Sequence, residues 1–576
     1  MKIRVSLLLV TLLTGGALTL GSLPGSVHEA TAGPPVLPDG PGIPVTADVV
    51  IRNCSACHAV DDDGRMSRVS YMRKTPEGWQ ASIQRMMALQ GVQLDPATAR
   101  EIVRYLSDHH GLAPEELEPA RFEVERRSVD FRYPDEDVRE TCAACHSMGM
   151  AMTQRRTEEE WRLLEETHRG YYPRIDGQRF RRGAPPGDAP VDRARRHLAE
   201  RYPFETVEWA EWSANLRSPR LEGRWVLRGS DPARGPFFGT VEISSSGSDD
   251  FATETTYEYP AEGLSVARAG QSVVYTGYQW RGRSSPQGTS AGGSSDGAPS
   301  VLEGELREVM VVQRDWDRID GRWFTGDHHE FGVDVELIRV GVQPVVAGIH
   351  PASLRIGTGG GEVTVYGGSL PSEVSASDVD LGPGIQVEQI LEAREDRIRL
   401  RVEVDPDAPA GRRDLRLGSA SFPRMLTLFH QVDYLEVEPR AGMARVGGIA
   451  SPKQYQQFQA IGYQMGPDGE PGSGDDLRVG PVPVEWEILE YPVGFEDDDA
   501  EFVGEIDHRG LFTPGLDGLN PERAGDRNNM GDVWVRARYT PSAGDGPVLE
   551  ARSYLLVSAP VYMRWDPWTL GEDLRP

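Results

Sequence analysis

The sequence predicts a multidomain chain in which an all-α N-terminal domain is followed by a β-barrel domain and two β-sandwich domains. Three observations carry this prediction. The 576 residues are enough for several domains of ordinary size. Helix signals recur as a repeat within residues 45–220. Beyond residue 220, short runs of alternating apolar and polar residues, separated by Gly and Asp, are typical of β-strands.

The composition restricts the partners. A formal net charge of −28 argues against a nucleic-acid partner, because phosphates would be repelled. Only 38% of the residues are hydrophobic, and 64 Gly and 43 Pro favour loop-rich β domains over one large helical body. After the N-terminus, no segment approaches the roughly 20 apolar residues of a membrane helix. We therefore expect no membrane span in the mature chain.

The N-terminus has the pattern of a signal peptide over residues 1–32. Lys2 and Arg4 give a positive start, a long apolar segment follows, and Ala30-Thr31-Ala32 offers a small-x-small cleavage site. The mature chain is then expected to begin near Gly33 and to be exported. The alternative is an uncleaved anchor.

All four cysteines lie in two pentapeptides, CSACH at Cys54–His58 and CAACH at Cys142–His146. Cys-x-x-Cys-His is the attachment motif of c-type haem. The two thiols add to two vinyl groups of the porphyrin, and the histidine binds the iron. The motifs therefore predict two covalent haems, with thioether bonds from Cys54, Cys57, Cys142 and Cys145 and iron ligands His58 and His146. The alternative is two disulfide or zinc pairs.

An internal repeat follows the two motifs, Thr75–Gly91 after the first and Thr157–Gly170 after the second. Each begins with Thr and an acidic residue, which predicts a helix N-cap and first turn. Met86 comes seven residues after Trp79, and His168 comes seven residues after Trp161. Positions i and i+7 share a helix face, so Met86 and His168 are predicted to be the sixth ligands of haems one and two. The competing residues are Met66, Met72 and Met87 for the first haem and Met148, Met150 and Met152 for the second.

A second matched pair of segments, Ala97–Leu112 and Val191–Phe204, aligns Tyr105-Leu106 with His197-Leu198 and predicts a terminal helix in each repeat. The second repeat also carries an insertion near residues 170–188. His109 and His110 lie at a helix end, where they are expected to be structural or solvated. Because a thioether ligand raises haem potential, the Met-ligated haem is expected to be the more oxidising one.

Three β regions are predicted after the haem motifs. Residues 221–342 carry six to eight successive strands, as in an up-and-down barrel or a sandwich, with a Gly/Ser-rich loop at Ser284–Ser300. The pair His328-His329 lies in an expected hairpin. Its side chains would point to opposite faces, which disfavours a metal site.

Residues 343–432 resemble an immunoglobulin-like IPT/TIG domain in the segment HPASLRIGTGGGEVTVYGGSLP, and residues 433–576 are predicted to form a second sandwich. An acidic loop in the latter contains Asp468, Asp475 and Asp476. It does not match the EF-hand spacing, so it is either a cation site or, as we expect, a solvated loop.

The whole arrangement resembles the large α subunit of quinohemoprotein amine dehydrogenase. The resemblance rests on the two Cys-x-x-Cys-His repeats, on Trp79/Met86 and Trp161/His168, and on the domain order. It implies an all-α dihaem cytochrome c domain followed by a β-barrel domain and two immunoglobulin-like β-sandwich domains.

The resemblance also implies a function. It implies a periplasmic heterotrimer with beta and gamma subunits that oxidatively deaminates primary amines. Cysteine tryptophylquinone, the catalytic cofactor, would lie in a small partner subunit. This chain would carry no catalytic residue of its own. It would accept electrons from the quinone and pass them to a blue copper protein or a cytochrome c. The alternatives are a free-standing dihaem electron carrier and a dihaem peroxidase.

Overall fold

The computed structural model describes residues 42–121, 133–172, 175, 189–287, 302–325, 331–491, 497–541 and 546–561. The predicted signal peptide and His328-His329 lie outside these residues, as do most of the insertion near residues 170–188 and residues 288–300 of the predicted Gly/Ser loop. Within the described ranges, none of the helices combines the length and apolar content that a membrane crossing needs.

Residues 42–220 contain most of the helices. They are α1 (Asp48–Cys54), α2 (Pro76–Gln90), α3 (Pro96–His109), α4 (Pro114–Leu117), a 3-10 turn (Glu118–Ala120), α5 (Glu136–Cys142), α6 (Gly149–Met152), α7 (Glu158–Tyr171), α8 (Pro190–Arg201) and α9 (Val207–Ala214). Thr75 caps α2 by accepting from the Gly78 amide at 3.2 Å, and Thr157 caps α7 by accepting from the Glu160 amide at 3.2 Å. The two repeats thus start their helices in the same way.

The prediction of an all-α dihaem cytochrome domain is wrong. Strands β1 (Met72–Lys74) and β2 (Gln154–Arg156) pair antiparallel in the middle of the helical region. Each strand leads directly into an N-cap threonine, whose backbone must be extended, and the two extended segments satisfy each other's amide groups. The described residues are mostly β, with 42% in strands and 21% in helices.

Eight strands close into a barrel in which each strand pairs with the next and the last pairs with the first. They are β3 (Gly223–Asp231), β4 (Gly235–Ser245), β5 (Asp250–Tyr259), β6 (Leu264–Tyr275), β7 (Gln279–Pro286), β8 (Leu306–Val312), β9 (Arg318–Phe324) and β10 (Gly332–Arg339). In β5 every second residue from Phe251 to Tyr259 is buried, as period-two alternation requires. Trp225, Phe237 and Trp280 are fully buried and fill the interior. Strand β7 extends through Ser284–Pro286, where the loop was expected to begin.

Two four-stranded sheets follow in residues 345–429, ordered β11-β13-β16-β15 and β12-β18-β17-β14. Their strands are β11 (Val345–His350), β12 (Ser353–Arg355), β13 (Gly361–Gly368), β14 (Val379–Asp380), β15 (Ile385–Ala393), β16 (Arg397–Val404), β17 (Gly411–Leu417) and β18 (Ala420–Phe429), with a 3-10 turn at Ala376–Asp378. Val363 and Leu400 from one sheet and Leu415 and Leu426 from the other belong to one apolar core. The two sheets therefore pack face to face.

The last region contains three sheets rather than the two of a simple sandwich. Its elements are β19 (Tyr434–Glu438), β20 (Ala441–Arg445), β21 (Gln456–Gln457), β22 (Gln459–Gln464), β23 (Leu477–Pro481), β24 (Glu485–Glu490), α10 (Asp499–Phe502), β25 (Gly504–Ile506), β26 (Leu511–Pro514), β27 (Gly531–Tyr539) and β28 (Leu549–Ser558). The sheet β20-β28-β27-β24 is flanked by the three-stranded sheets β19-β22-β23 and β21-β26-β25.

A buried ion triad organises the helical region. Glu116 accepts from both Nη atoms of Arg73, at 2.7 and 2.9 Å, and pairs with Nε of Arg155 at 3.1 Å. The three side chains are at most 7% exposed. Arg73 also donates to the carbonyls of Gly111 and Phe204. Burial raises the pKa of Glu116, but the hydrogen bonds and charges of the two arginines outweigh it and hold that pKa below its ordinary value.

The helical region is fixed to the barrel beside this triad. The turn between β6 and β7 supplies the contacts: Thr276 Oγ1 donates to the Ser107 carbonyl at 2.9 Å, and the Tyr278 hydroxyl donates to the Leu112 carbonyl at 3.0 Å. Leu112 and Leu117 belong to the barrel's own apolar core. Helix α4 and the loop before it therefore pack into the barrel core and join the helical region to the barrel.

We predict that Glu116→Gln destabilises the chain by about 3 kcal/mol or more, because two buried arginines lose their counter-charge. Glu115→Gln is the matched control, since the neighbouring Glu115 side chain is 47% exposed and pairs with an exposed Arg314. Its effect should stay below about 1 kcal/mol. Urea titrations of the full chain followed by circular dichroism measure both. Equal effects of the two variants would contradict a central role for the triad.

Candidate functional site

Both Cys-x-x-Cys-His motifs form a tight turn at the end of a helix. Helix α1 ends at Cys54, and the Cys57 and His58 amides donate back to the Cys54 carbonyl at 3.2 and 3.0 Å. Helix α5 ends at Cys142 in the second motif. None of the four cysteines forms a disulfide bond within the described part of the chain, and Cys57 and Cys145 are exposed. Burial raises the pKa of Cys54, and it raises the pKa of Cys142 to about 12.

Each motif histidine has one ring nitrogen anchored and the other free to bind a metal. His58 Nδ1 lies 2.9 Å from the Ser67 carbonyl, and His146 Nδ1 lies 2.9 Å from the Ser147 carbonyl. A carbonyl only accepts, so Nδ1 carries the proton and Nε2 keeps its lone pair. Metal-binding histidines commonly donate their second N–H in this way. Burial lowers the pKa of His58, which keeps its imidazole neutral, as a ligand must be.

The structure places the rings of His146 and His168 next to each other. Their ring centroids are 6.5 Å apart, and the ring planes make an angle of 54°. His168 Nδ1 lies 2.8 Å from the Leu164 carbonyl, so its Nε2 is also free. Metal–imidazole bonds are about 2 Å long, so two imidazoles on opposite sides of one ion have centroids about 6 Å apart. The pair therefore fits a shared metal ion.

His58 and Met86 belong to segments that share one core. Cys54 of the first motif and Met87 of α2 both pack against the apolar cluster that contains Trp79. Met86 itself is half-buried.

Three of the six competing methionines differ from Met86 in burial. Met66, Met72 and Met148 are buried in apolar cores, whereas Met87, Met150 and Met152 are half-buried like Met86. Burial therefore disfavours the first three as ligands and leaves Met86 and Met87 as candidates for the first site.

The two repeats match in their supporting contacts as well as in their motifs. Trp79 Nε1 donates to the His110 carbonyl at 2.9 Å, and Trp161 Nε1 donates to the Tyr202 carbonyl at 3.2 Å. His110 and Tyr202 are the residues that follow α3 and α8, five positions after the aligned Tyr105 and His197. The alignment made from the sequence therefore describes equivalent positions in space.

His110 is not solvated, contrary to one of the two expectations for it. It is 0% exposed, and neither of its ring nitrogens finds a hydrogen-bond partner in the described ranges. Its ring lies 6.2 Å from those of Trp79 and Tyr105. Burial, and then the charges of His109 and Arg73, lower the pKa of His110 to about 3.

A group of buried charges beside the candidate ligands was missed from the sequence. Lys74 and Arg156 precede the two N-cap threonines and are 5% and 3% exposed, and Glu160 is fully buried. The signal was present, because a basic pair stands before each capping threonine: Arg73-Lys74 before Thr75 and Arg155-Arg156 before Thr157.

The acidic loop needs no cation to explain its geometry. Carboxylate oxygens of Asp468, Asp475 and Asp476 lie within 4.8 Å of one another. Asp476 accepts from the Tyr434 hydroxyl at 2.6 Å and from three backbone amides. Asp468 and Asp475 are exposed. These bonds fold the loop back on its own carboxylate, as in an Asx turn.

Four family models match the chain. One is described as quinohemoprotein amine dehydrogenase A, alpha subunit, haem binding, and covers residues 45–209. The others are quinohemoprotein amine dehydrogenase, alpha subunit domain II over residues 218–340, domain III over 343–430 and domain IV over 435–569. They confirm the family predicted from the sequence. No curated protein matches the chain.

Designed barrels are among the solved structures that resemble part of the chain. A redesigned beta barrel bound to DFHBI is 12% identical, covers 21% of this chain and 94% of that chain, and has a TM-score of 0.17. A de novo designed fluorescence-activating beta barrel is 20% identical, covers 23% of this chain and 99% of that chain, and has a TM-score of 0.15. These low scores support no conclusion about function.

We predict that His110→Phe weakens the acid sensitivity of the fold. The unfolded imidazole has a pKa near 6.5, so below that pH the unfolded chain binds a proton that folded His110 accepts only near pH 3. The contribution of neutral His110 to the free energy of unfolding is fully present above about pH 6.5. Below that pH it decreases by up to about 1.4 kcal/mol per pH unit toward pH 3.

Urea titrations at pH 7, 6 and 5 measure this effect. His110→Phe should lose less stability per pH unit than the wild type, whereas the control His508→Phe, which removes an exposed imidazole, should keep the wild-type slope. Parallel profiles for His110→Phe and the wild type would mean that His110 is protonated in the folded chain.

Proposed function

Because the chain belongs to the quinohemoprotein amine dehydrogenase alpha-subunit family, we propose that it is the dihaem electron-transfer subunit of a periplasmic amine dehydrogenase. It accepts electrons from a quinone in a small partner subunit while primary amines are oxidatively deaminated. It then delivers them to an external redox protein. The observation that carries the proposal is the pair of Cys-x-x-Cys-His turns, whose cysteines are not in disulfides and whose histidines each keep Nε2 available for a metal.

Each motif holds one c-type haem in this proposal. Cys54 and Cys57 attach the first, and Cys142 and Cys145 attach the second. Bound haem iron supplies a one-electron carrier; everything else is done by the protein's own side chains. His58, through the Ser67 carbonyl, and His146, through the Ser147 carbonyl, are held as proximal ligands.

The distal ligands differ between the two sites. Met86 is the sixth ligand of the first site and His168 that of the second. The 6.5 Å separation of the His146 and His168 rings supports the second assignment directly. A thioether favours the reduced iron more than an imidazole does, so the Met86 site is the more oxidising of the two.

The catalytic quinone belongs to another chain. Cysteine tryptophylquinone needs a cysteine, and the four cysteines here are all taken by the haem motifs. The partners are therefore a quinone-bearing small subunit and a further subunit of the dehydrogenase, with a blue copper protein or a cytochrome c as the acceptor. Export to the periplasm agrees with thioether formation and with the signal-peptide pattern of residues 1–32.

A free-standing electron carrier and a dihaem peroxidase are less well supported. A peroxidase needs an open or displaceable distal position, but His168 already faces His146. A free-standing electron carrier functions without partner subunits, whereas all four regions of this chain match models of a dehydrogenase alpha subunit.

Native mass spectrometry of the complex from the source cell tests the function. We expect this chain with two haems attached, together with a small subunit that carries a quinone crosslink. Recovery of the haem-loaded chain alone, in a preparation that has no amine-dependent reduction, would favour the carrier. Peroxide turnover by that chain would favour the peroxidase.

Paired variants test the distal ligands. Met86→Ala should abolish the sulfur-to-iron charge-transfer absorption of the oxidised protein and leave the His146 site unchanged. His168→Ala should let one haem bind carbon monoxide readily and leave the charge-transfer band in place. Each variant is the control for the other. A retained band in Met86→Ala would move the ligand to Met87 or Met72, and wild-type carbon monoxide binding in His168→Ala would exclude His168.

A further inference from the structure

The charged side chains on the two faces of the β1–β2 ladder reach different parts of the helical region. Successive residues of a strand point to opposite sides. Arg73 and Arg155, paired at the centre of the ladder, reach Glu116 on the side of the barrel. Lys74 and Arg156 point the other way, toward the tryptophans of α2 and α7. Lys74 Nζ lies 5.1 Å from the Trp79 ring, and the Arg156 guanidinium lies 5.7 Å from the Trp161 ring.

Cations outnumber carboxylates on this second face. Glu160 accepts from Arg68 Nε at 2.9 Å and pairs with Arg156 Nη1 at 3.6 Å. Lys74 donates to the Ser82 hydroxyl at 2.7 Å. In the described part of the chain, Lys74 has no ion pair with a carboxylate. One buried carboxylate thus serves Lys74, Arg156 and the partly exposed Arg68.

The polar atoms of this cluster are incompletely bonded. Arg156 Nη1 and Glu160 Oε1 are buried and have no hydrogen-bond partner among the described residues. Burial, and then the charge of Arg156, lower the pKa of Lys74 well below its ordinary value. Buried charges are normally paired and hydrogen-bonded, so an excess of buried cations indicates a missing anion.

The triad on the opposite face is an internal comparison. It also holds two arginines and one carboxylate, but backbone carbonyls and the Thr206 hydroxyl complete its hydrogen bonds. Two arginines around one glutamate can therefore be fully hydrogen-bonded in this fold without a bound anion. Only the cluster on the face toward the metal-binding histidines has a cation, Lys74, that lacks an anionic partner among the residues that the structure describes.

The position of the cluster identifies the anion. Arg68 directly follows Ser67, whose carbonyl lies 2.9 Å from His58 Nδ1, and Arg85 directly precedes Met86. The Arg156 guanidinium lies over the Trp161 ring, on the helix that carries His168. The cluster therefore lies within electrostatic range of both proposed iron sites. A group that brings carboxylates into this space together with an iron is haem, through its propionates.

We propose that Lys74 and Arg156, with Arg68 and Arg85 beside them, bind the propionate carboxylates of the haems and hold the haem potentials up. This inference rests on the proposed function. A cation near the iron stabilises the reduced state, which carries less positive charge. Glu160 acts in the opposite sense, and it sets how much of the cationic charge the haems experience.

Spectroelectrochemical titration of the haem-loaded full chain tests the proposal with two variants of opposite sign. Lys74→Met should lower one midpoint potential, so that the ferric-to-ferrous ratio at a fixed potential rises roughly tenfold, equal to about 59 mV for one electron. Glu160→Gln should raise a midpoint by a shift of similar size. Lys453→Met, the same substitution in the last region, should change neither haem.

Several outcomes would overturn the proposal. Unchanged midpoints in Lys74→Met, or shifts of the same sign in both variants, would leave the cluster a purely structural one. If Lys74→Met fails to fold, the sign of the Glu160→Gln shift decides alone. Midpoints that depend on added chloride or phosphate would assign the site to a free anion instead. A chain that contains no haem would refute the proposed function, whereas two haems with unmoved potentials would refute only this inference.

Discussion

One buried carboxylate sets the geometry of the helical region. Glu116 binds Arg73 and Arg155, which stand opposite each other at the centre of the β1–β2 ladder. Each strand runs directly into the capped helix that carries a proposed distal ligand, Met86 in α2 and His168 in α7. The ladder therefore fixes where both helices start and, through them, where the ligands lie. Glu116 also lies between Leu112 and Leu117, which pack into the barrel core. The same residue therefore fixes the position of the ligand helices relative to the barrel.

The local part of the site could be predicted from the sequence, because local patterns determine it. The Cys-x-x-Cys-His turns and the threonine caps involve residues a few positions apart, and the seven-residue spacing of Trp161 and His168 follows from helix geometry. The β1–β2 ladder could not be predicted in this way. Three-residue strands show no usable alternation, and the partner of Arg73 is far along the chain. That omission made the all-α prediction wrong.

The same distinction holds in the remaining regions. The barrel strands were visible because each is long enough to alternate, as β5 does from Phe251 to Tyr259. In the last region, strands such as β21 have only two residues and carry no periodicity, so the division into three sheets could not be foreseen. His110 differs for another reason. Local sequence patterns predict that a histidine at a helix end is exposed to solvent. The tertiary contacts of His110 with Trp79 and Tyr105, which bury it, are not visible in the sequence.

The ladder has a consequence for how the two haem-motif units relate to each other. In the repeat alignment, Arg73 is equivalent to Arg155, Lys74 to Arg156 and Met72 to Gln154. Arg73 pairs with its equivalent Arg155, and the Met72–Arg156 and Gln154–Lys74 pairs are related by exchanging the two repeats. This is the contact pattern of an isologous twofold interface, here within a single chain. A unit taken alone would expose an unpaired strand edge, and the second unit would also leave Arg155 without Glu116, which lies between the two repeats. The two haem-motif units therefore depend on each other for a complete hydrogen-bonded ladder.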